Sequence, residues 1–586
     1  MSVLDNNMAV VGQFSGGVVL GSSINTPALK ASLADVLASF PFFAGRAYFA
    51  DDGSLDVRYP QPGAAPGSAD VSSTSATTSS TIAAGPPGPT DSGGTYGARF
   101  VAASTSATLA EVLAALQGGG RHAAVLQSPW GLVPGLMPPH DLDALVQGQW
   151  PLAGGLVLHL RGGGAVLWVG AHHGLADFES LQLLAGHWAA AYNTRLALVS
   201  GDSSGSAASG GAAAAGGKAG AAADVQGGGA GACHDYTALL PERLRRPFMD
   251  GEAVDALADW APPAPGLPPR REVVEGGRWS GLSVTAKAVW HMMWRGGGVQ
   301  ARCLRVSGLR LAELKAQASQ ELAAEAKVGA EAAAGAGTGA GTGSSQDAAK
   351  PVEWISTNDA LVGRLMQVLH SRVRLRRRHP VSCFMAVEMR RRQEPTGERV
   401  QLPAAQVGNL TYSARLEGLR PAEMSLGALA AAMRRELLYH VWPQFRGCLA
   451  RTAAALTAVG PKGLVWGFCA ERDLHENIFA PEGPLNLTCW DVDYSLWQFG
   501  PTPPLAFIPP STELGPSVIC IVPEPPSQRQ GQGQQSGQQQ GQGSQESKDR
   551  GSQGGKASCG VVLMMSMHNA VWKQLDAEGV DLATAI

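Results

Sequence analysis

Two adjacent histidines, His172 and His173, close an apolar run, and Asp177 follows four residues after the second; no other His-x-x-x-Asp spacing occurs in the 586 residues. Imidazole is the side chain whose ordinary pKa lets it take a proton near pH 7. Gly174 removes bulk beside His173, so the ring can turn into a cleft. The chemistry this suits is general-base activation of a hydroxyl or amine for attack on an activated carbonyl, with oxyanion donors supplied from elsewhere. The spacing alone does not carry that reading. With 13 histidines in the chain, chance supplies such a match about half the time. Asp177 equally suits the N-cap of a helix starting at Phe178, with Ser180 three residues on, and the histidines suit satisfied polar groups at a strand end.

The elements that must position these residues are legible in the hydrophobic pattern. Apolar runs over 156–161 and 165–171 flank Gly162, Gly163 and Gly164, which predicts a hairpin. From Phe178 onward the period lengthens, and Phe178, Leu181, Leu184, Ala185, Trp188 and Tyr192 share one helical face. The segment is therefore strand, short loop, helix, with the histidines at the strand's end. Further helices are expected over 28–39, 108–116, 309–321 and 356–369, the last opened by Ser, Thr, Asn and Asp capping chemistry. Strands are expected over 300–306, 381–389 and 560–567. Strands and helices mixed throughout indicate an α/β or α+β architecture.

A chain this long suits more than one hydrophobic core. Its 75 glycines are densest in segments 62–94, 201–232, 328–348 and 527–558, which hold too few large apolar side chains to offset the entropy of ordering and are expected to be flexible. The expected organisation is an N-terminal lobe over 1–200, a low-complexity tract and crossover over 201–299, and a C-terminal lobe over 300–586. A formal charge of −3 provides no field for nucleic acid, and no apolar run reaches the ~18 residues of a membrane span. The eight cysteines are dispersed and form no metal-ligand spacing, so reduced thiols, no bound metal and a cytoplasmic location are expected. The N-terminus shows neither the basic start of a signal peptide nor the arginines of a transit peptide. Arg372, Arg374, Arg376, Arg377 and Arg378 suit a solvated charged face, with coenzyme A phosphates as the next candidate.

Taken together, motifs along the chain resemble those of the BAHD acyl-CoA-dependent acyltransferases. His172-His173-Gly-Leu-Ala-Asp177 is similar to that family's HXXXD motif. The run from Leu29 to Leu37, then Pro41-Phe-Phe-Ala-Gly-Arg46, is similar to its N-terminal helix and "PLAGR" turn. Gly97-Ala-Arg-Phe-Val-Ala-Ala103 resembles the following strand, and Ser356-Thr-Asn-Asp-Ala-Leu361 a helix start of the second half. Arg390 and Arg392, Val407-Gly-Asn409, Leu487-Thr-Cys-Trp490 and Phe499-Gly500 follow in the family's order, so the resemblance spans almost the whole chain. It implies an α/β, two-lobe, chloramphenicol-acetyltransferase-like fold with a channel between the lobes. It further implies a monomer of specialised metabolism that binds no permanent cofactor, uses acyl-CoA as co-substrate and acylates a small-molecule alcohol or amine. His173 would be the base, with no acyl-enzyme; Asp177 would turn away and pair with Arg390 as structural support; Thr488 and Trp490 would line the reaction centre. Phe499 and Gly500 would serve coenzyme A binding, although Gln498-Phe-Gly-Pro-Thr502 keeps only two residues of the family's "DFGWG". Phe178 replaces the glycine that normally follows the motif aspartate. Two rival readings remain: a non-turning-over protein that binds coenzyme A or a metabolite, and a condensation-type domain fed by a carrier-protein thioester.

Overall fold

The computed structural model describes residues 13–49, 55–59, 73–76, 96–116, 147–199, 236–246, 289–295, 297–335, 352–377, 380–390, 392, 404–449, 480–509, 516–525 and 559–586. Two six-stranded mixed sheets organise them. The first contains β1 (Gln13–Leu20), β4 (Ser73–Ala76), β5 (Arg99–Thr108), β6 (Ala153–Arg161), β7 (Ala165–His172) and β12 (Ala506–Ile508), in spatial order β12-β1-β7-β6-β5-β4. The second contains β8 (Val299–Val306), β9 (Val381–Glu388), β10 (Thr411–Leu419), β11 (Leu485–Cys489), β13 (Val518–Pro523) and β14 (Val561–His568), in order β10-β9-β11-β13-β14-β8. Strands β2 (Arg46–Phe49) and β3 (Leu55–Arg58) form a separate antiparallel ribbon.

The hairpin expected from the glycine triplet is the antiparallel pair β6–β7, with Ala153 opposite Ala171 and His159 opposite Ala165. Gly162, Gly163 and Gly164 have φ of 81°, 109° and 86°, a left-handed run that side chains with a Cβ avoid. Helix α1 (Thr26–Ser39) starts at Asn25, whose side chain accepts from the Ala28 N–H at 3.1 Å. After the short helix α2 (Leu109–Leu116) comes α3 (Phe178–Val199), which lies across the first sheet. Leu181, Leu183, Leu184 and Trp188 on α3 are buried, each contributing about 1.5–3 kcal/mol by removal from water. Trp188 donates its indole N–H to the Leu29 carbonyl at 2.9 Å, which locks α3 to α1. Gly155 on β6 admits that indole, since a Cβ there would stand 2.3 Å from the ring.

In the second half, α4 (Gly308–Gly335), α5 (Thr357–Arg372) and α6 (Leu426–Arg435) pack on the second sheet through Leu314, Leu361, Leu365, Leu429, Leu487, Ile519 and Leu563. Helix α5 opens with the reciprocal bonds of a capping box: Ser356 N–H to Asp359 Oδ2 at 2.8 Å, and Asp359 N–H to Ser356 Oγ at 3.1 Å. Strand residues alternate between faces. Cys520, Val522 and Met564 accordingly leave the helix-covered side and join the first lobe's core, beside Trp490, Trp497, Phe499 and Phe507. The seam between the lobes is thus rich in aromatic rings, and β12 crosses it outright by pairing antiparallel with β1.

Three sequence expectations change. Residues 328–335 are helical, being the end of α4, because the alanines that make this tract look featureless are strong helix formers that extend the helix begun at Gly308. The expected flexible insert 62–94 contains β4, a short edge strand whose backbone pairs in parallel with β5. Arg376 is buried, donating to the Gly483 carbonyl at 2.9 Å and to Ser517 Oγ at 3.0 Å, rather than lying on a solvated face. Burial lowers its pKa to about 10, which leaves it charged at neutral pH. The tracts 201–232 and 527–558 lie outside the described residues, as do residues 336–348. Cys303, Cys383, Cys448, Cys489, Cys520 and Cys559 are free thiols. Among the described residues no helix is long and apolar enough to cross a membrane.

Candidate active site

The loop between β7 and α3 is shaped by His172 as much as by His173. The His172 carbonyl accepts from the N–H groups of Leu175 and Ala176 at 2.8 and 3.2 Å, and its Nδ1 accepts from Gly174 N–H at 3.0 Å. The buried first histidine therefore closes the turn. His173, at the turn's outer corner, keeps part of its surface accessible.

His173 Nδ1 lies 2.9 Å from Asn409 Oδ1, and Asn409 Nδ2 donates to the His173 carbonyl at 2.6 Å. The second bond fixes which way the amide points, because only the NH₂ end can donate to a carbonyl. Asn409 Oδ1, an acceptor, then faces Nδ1, so Nδ1 must carry the ring proton. The lone pair is left on Nε2. Burial lowers the His173 pKa from 6.5, outweighing the opposing pull of its own carbonyl, of Asp177 and of Asn409. The ring is neutral at pH 7, protonated on Nδ1 and basic at Nε2. Phe14 of β1 packs against it with ring centroids 4.7 Å apart.

Asp177 and Arg390 expose only 1% and 3% of their surface. Arg390 Nη1 and Nη2 donate to Asp177 Oδ2 and Oδ1 at 2.7 and 3.2 Å. The same carboxylate caps α3, accepting from Ser180 N–H at 3.0 Å and Ser180 Oγ at 2.9 Å, and it accepts from Leu410 N–H at 2.9 Å. Both local readings of Asp177 are thus present at once: N-cap and ion-pair partner. Burial alone would raise its pKa, but Arg390 and these donors hold it below the ordinary value. For Arg390, burial is outweighed by the carboxylates of Asp177 and Glu388, which raise its pKa. Its remaining donors grip the next loop, with Nε on the Gln406 carbonyl at 3.0 Å and Nη2 on the Gly408 carbonyl at 2.8 Å. That loop carries Asn409.

Thr488 is partly exposed near the end of β11, and the Trp490 indole N–H donates to its Oγ1 at 3.1 Å. With its oxygen already accepting, the threonine hydroxyl has its own proton free to donate elsewhere. Trp490 stacks on Phe178 with centroids 4.1 Å apart and meets Phe14 edge-on at 6.4 Å, so His173, Phe14, Trp490 and Thr488 form one run of contacts. Gln182 of α3 fixes the chain just after Trp490, accepting from Asp493 N–H at 2.8 Å and donating to the Asp491 carbonyl at 3.2 Å.

Phe499 is elsewhere. It is fully buried against Trp188 and Tyr192, with centroids 5.6 and 6.1 Å away, so its side chain packs the first lobe and presents nothing to a ligand. Gly500, at φ 108°, forms a turn gripped by Asn193: Gly500 N–H donates to Asn193 Oδ1 at 2.7 Å, and Asn193 Nδ2 donates to the Gln498 carbonyl at 2.8 Å. The two residues expected to serve coenzyme A binding thus hold the packing and the backbone turn of this segment. Asn409, Glu388, Phe14 and Asn193 are the residues sequence reading did not assign to the site. Only Asn409 left a trace, as the second residue of a Gly-Asn turn. Among the described residues, no group of three or more His, Cys, Asp and Glu side chains could hold a metal ion.

No family model matches the sequence, and no curated protein matches it. Solved structures do match in fold. They include TRI101 of F. sporotrichioides complexed with coenzyme A and T-2, TRI101 of F. graminearum complexed with ethyl coenzyme A, and the latter protein complexed with coenzyme A and deoxynivalenol, at TM-scores of 0.53, 0.54 and 0.53. Each is 14% identical, over 100% of this chain and 97% of the other. At that identity the likeness concerns architecture, and in architecture the chain has the two-lobe, chloramphenicol-acetyltransferase-like α/β fold.

Proposed function

We propose that this chain is a divergent BAHD-type acyltransferase that moves an acyl group from acyl-CoA to the hydroxyl or amine of a small molecule, with His173 as general base. The observation that carries the reading is the Asn409 bond to His173 Nδ1, which leaves a neutral imidazole with its lone pair on Nε2. His172 has its tautomer fixed as well, by Gly174 N–H, but it is buried, whereas His173 keeps accessible surface. The TRI101 structures, which hold coenzyme A together with T-2 or deoxynivalenol, support the same substrate classes.

In this mechanism the acceptor enters a channel between the lobes, and Nε2 takes its proton as the oxygen or nitrogen attacks the thioester carbonyl carbon. The carbonyl becomes an oxyanion, for which the free Thr488 hydroxyl is a donor, held in place by the Trp490 indole. Collapse of the tetrahedral intermediate breaks the carbon–sulfur bond, and the departing thiolate recovers the proton from Nε2. Proton and acyl group balance with no acyl-enzyme and no resident cofactor. Asp177 and Arg390 act on the loops that carry His173 and Asn409, not on the substrate.

The test is thiol release from acyl-CoA across a panel of alcohols and amines. His173→Ala is expected to abolish acceptor-dependent release, a loss on the order of 10²–10⁴-fold for a removed general base, with circular dichroism unchanged. Coenzyme A binding without release from any acceptor would instead make the chain a binding protein on the same scaffold. Release only from a carrier-protein thioester would make it a condensation-type domain.

A further inference from the structure

Arg390 serves two carboxylates, and the proposed mechanism accounts for only one. Glu388, the last residue of β9, accepts from the Arg390 backbone N–H through Oε1 at 2.7 Å and from Arg390 Nη1 through Oε2 at 2.8 Å. The same Nη1 donates to Asp177 Oδ2 at 2.7 Å, so one guanidinium nitrogen is shared between the two acids. Two carboxylates against one guanidinium leave a surplus negative charge. Its place is Glu388, because Asp177 is sealed in with additional donors, whereas the Glu388 side chain is 27% exposed. Thr411 stands directly across from Glu388 in β10 and leans on Asp177 Oδ2 at 3.4 Å. The charged groups acting on Glu388 are Arg390 and Arg392 from its own stretch of chain and Asp177 from the loop after β7. Asp177 also acts on His173.

We propose that Glu388 is a positioning residue whose ionisation sets the aim of His173, acting through Arg390 and the 406–409 loop. Ionised, it draws Nη1 to a point between the two acids, which presents Nε and Nη2 to the Gln406 and Gly408 carbonyls and holds Asn409 against the imidazole. Protonated, it releases one side of Nη1, the guanidinium settles on Asp177 alone, and the grip on the Asn409 loop slackens. Burial raises the Glu388 pKa to about 7, with Asp177 adding to the rise and Arg390 opposing it, so the change falls near neutral pH. Burial moves His173 the other way, lowering its pKa from 6.5.

This inference rests on His173 being the base, and its test has an arm that does not need turnover. Imidazole ¹⁵N spectra of wild type and Glu388→Gln, with the His173 signals assigned by their loss in His173→Gln, are recorded between pH 6.5 and 8. In wild type the Nδ1–H tautomer is expected to be firm at pH 8 and to average towards Nε2–H as pH falls through about 7; in Glu388→Gln the signals stay constant over that range. In parallel, the wild-type kcat/KM is expected to show an acid limb with an inflection near 7 that Glu388→Gln lacks and Glu388→Asp restores at lower pH. Identical tautomer titrations in wild type and Glu388→Gln overturn the proposal. If Glu388→Gln does not fold, Glu388→Asp decides, because a limb and titration unmoved by the weaker reach of aspartate overturn it equally. Absence of all turnover with the spectral difference intact would count against the acyltransferase reading alone.

Discussion

Asp177→Asn separates architecture from chemistry most cleanly. The carboxylate accepts from Ser180 N–H, Ser180 Oγ and Arg390 Nη2 at Oδ1, and from Arg390 Nη1, Leu410 N–H and, at 3.4 Å, Thr411 Oγ1 at Oδ2. An amide keeps one acceptor and turns a donor towards the other group, so either the Ser180 side or the Leu410 side faces a mismatched N–H. The Arg390 guanidinium would also remain buried with only Glu388 to balance it. Removing one partner of a buried pair costs about 3–5 kcal/mol, and the remaining Glu388 contact places the expected loss near 3. Urea denaturation followed by far-ultraviolet circular dichroism at pH 7 reads this directly. The sign of the pH dependence follows from the depressed Asp177 pKa: the stabilisation is present above the unfolded value of 3.8 and is lost as pH falls through the lower folded value. The part of the advantage that comes from the Asp177 carboxyl itself should shrink only below about pH 4. If Asp177 instead polarised the imidazole, the fold would be nearly untouched while turnover fell by roughly 10⁴. A stability loss under about 1 kcal/mol with a collapse of that size would refute the assignment of Asp177 to the loops.

Asn409→Ala is expected to lower kcat by about tenfold or more and to cost about 1–3 kcal/mol of stability, because the neutral ring loses the partner that selects its tautomer and the His173 carbonyl loses its donor; steady-state kinetics beside a melting curve checks it. Asn409→Asp should also move the His173 titration upward by adding a carboxylate at Nδ1, visible in the imidazole spectra. Thr488→Ala is expected to cost on the order of 10²–10³-fold in kcat with KM for acyl-CoA preserved, and Thr488→Ser to recover most of it. Equal activity in Thr488→Ala would take the hydroxyl out of the mechanism.

The strand–turn–helix carrying His173 was legible because its causes are local. A glycine triplet turns the hairpin, the apolar period shifts at Phe178, and Asp177 caps the helix it precedes. The capping box at Ser356 was legible for the same reason, both partners lying within one turn. The reach of α4 into the alanine tract shows the limit of composition: poverty in large apolar residues suggested flexibility, whereas backbone propensity favoured helix.

The site itself is assembled by contacts that skip most of the chain. Asn409 lies 236 residues from His173, Arg390 lies 213 from Asp177, and β12 joins a sheet whose other members come from the first 172 residues. That Asp177 and Arg390 meet was implied by the family resemblance alone, not by anything in either residue's own neighbourhood. The sequence contains nothing to say that Phe499 would be sealed in the first lobe or that Glu388 would share a guanidinium with Asp177. Local dihedral preference and periodicity act within a few residues and determined the elements. Which side chains meet across the seam depends on how two separately built sheets pack, and only the tertiary structure decided that.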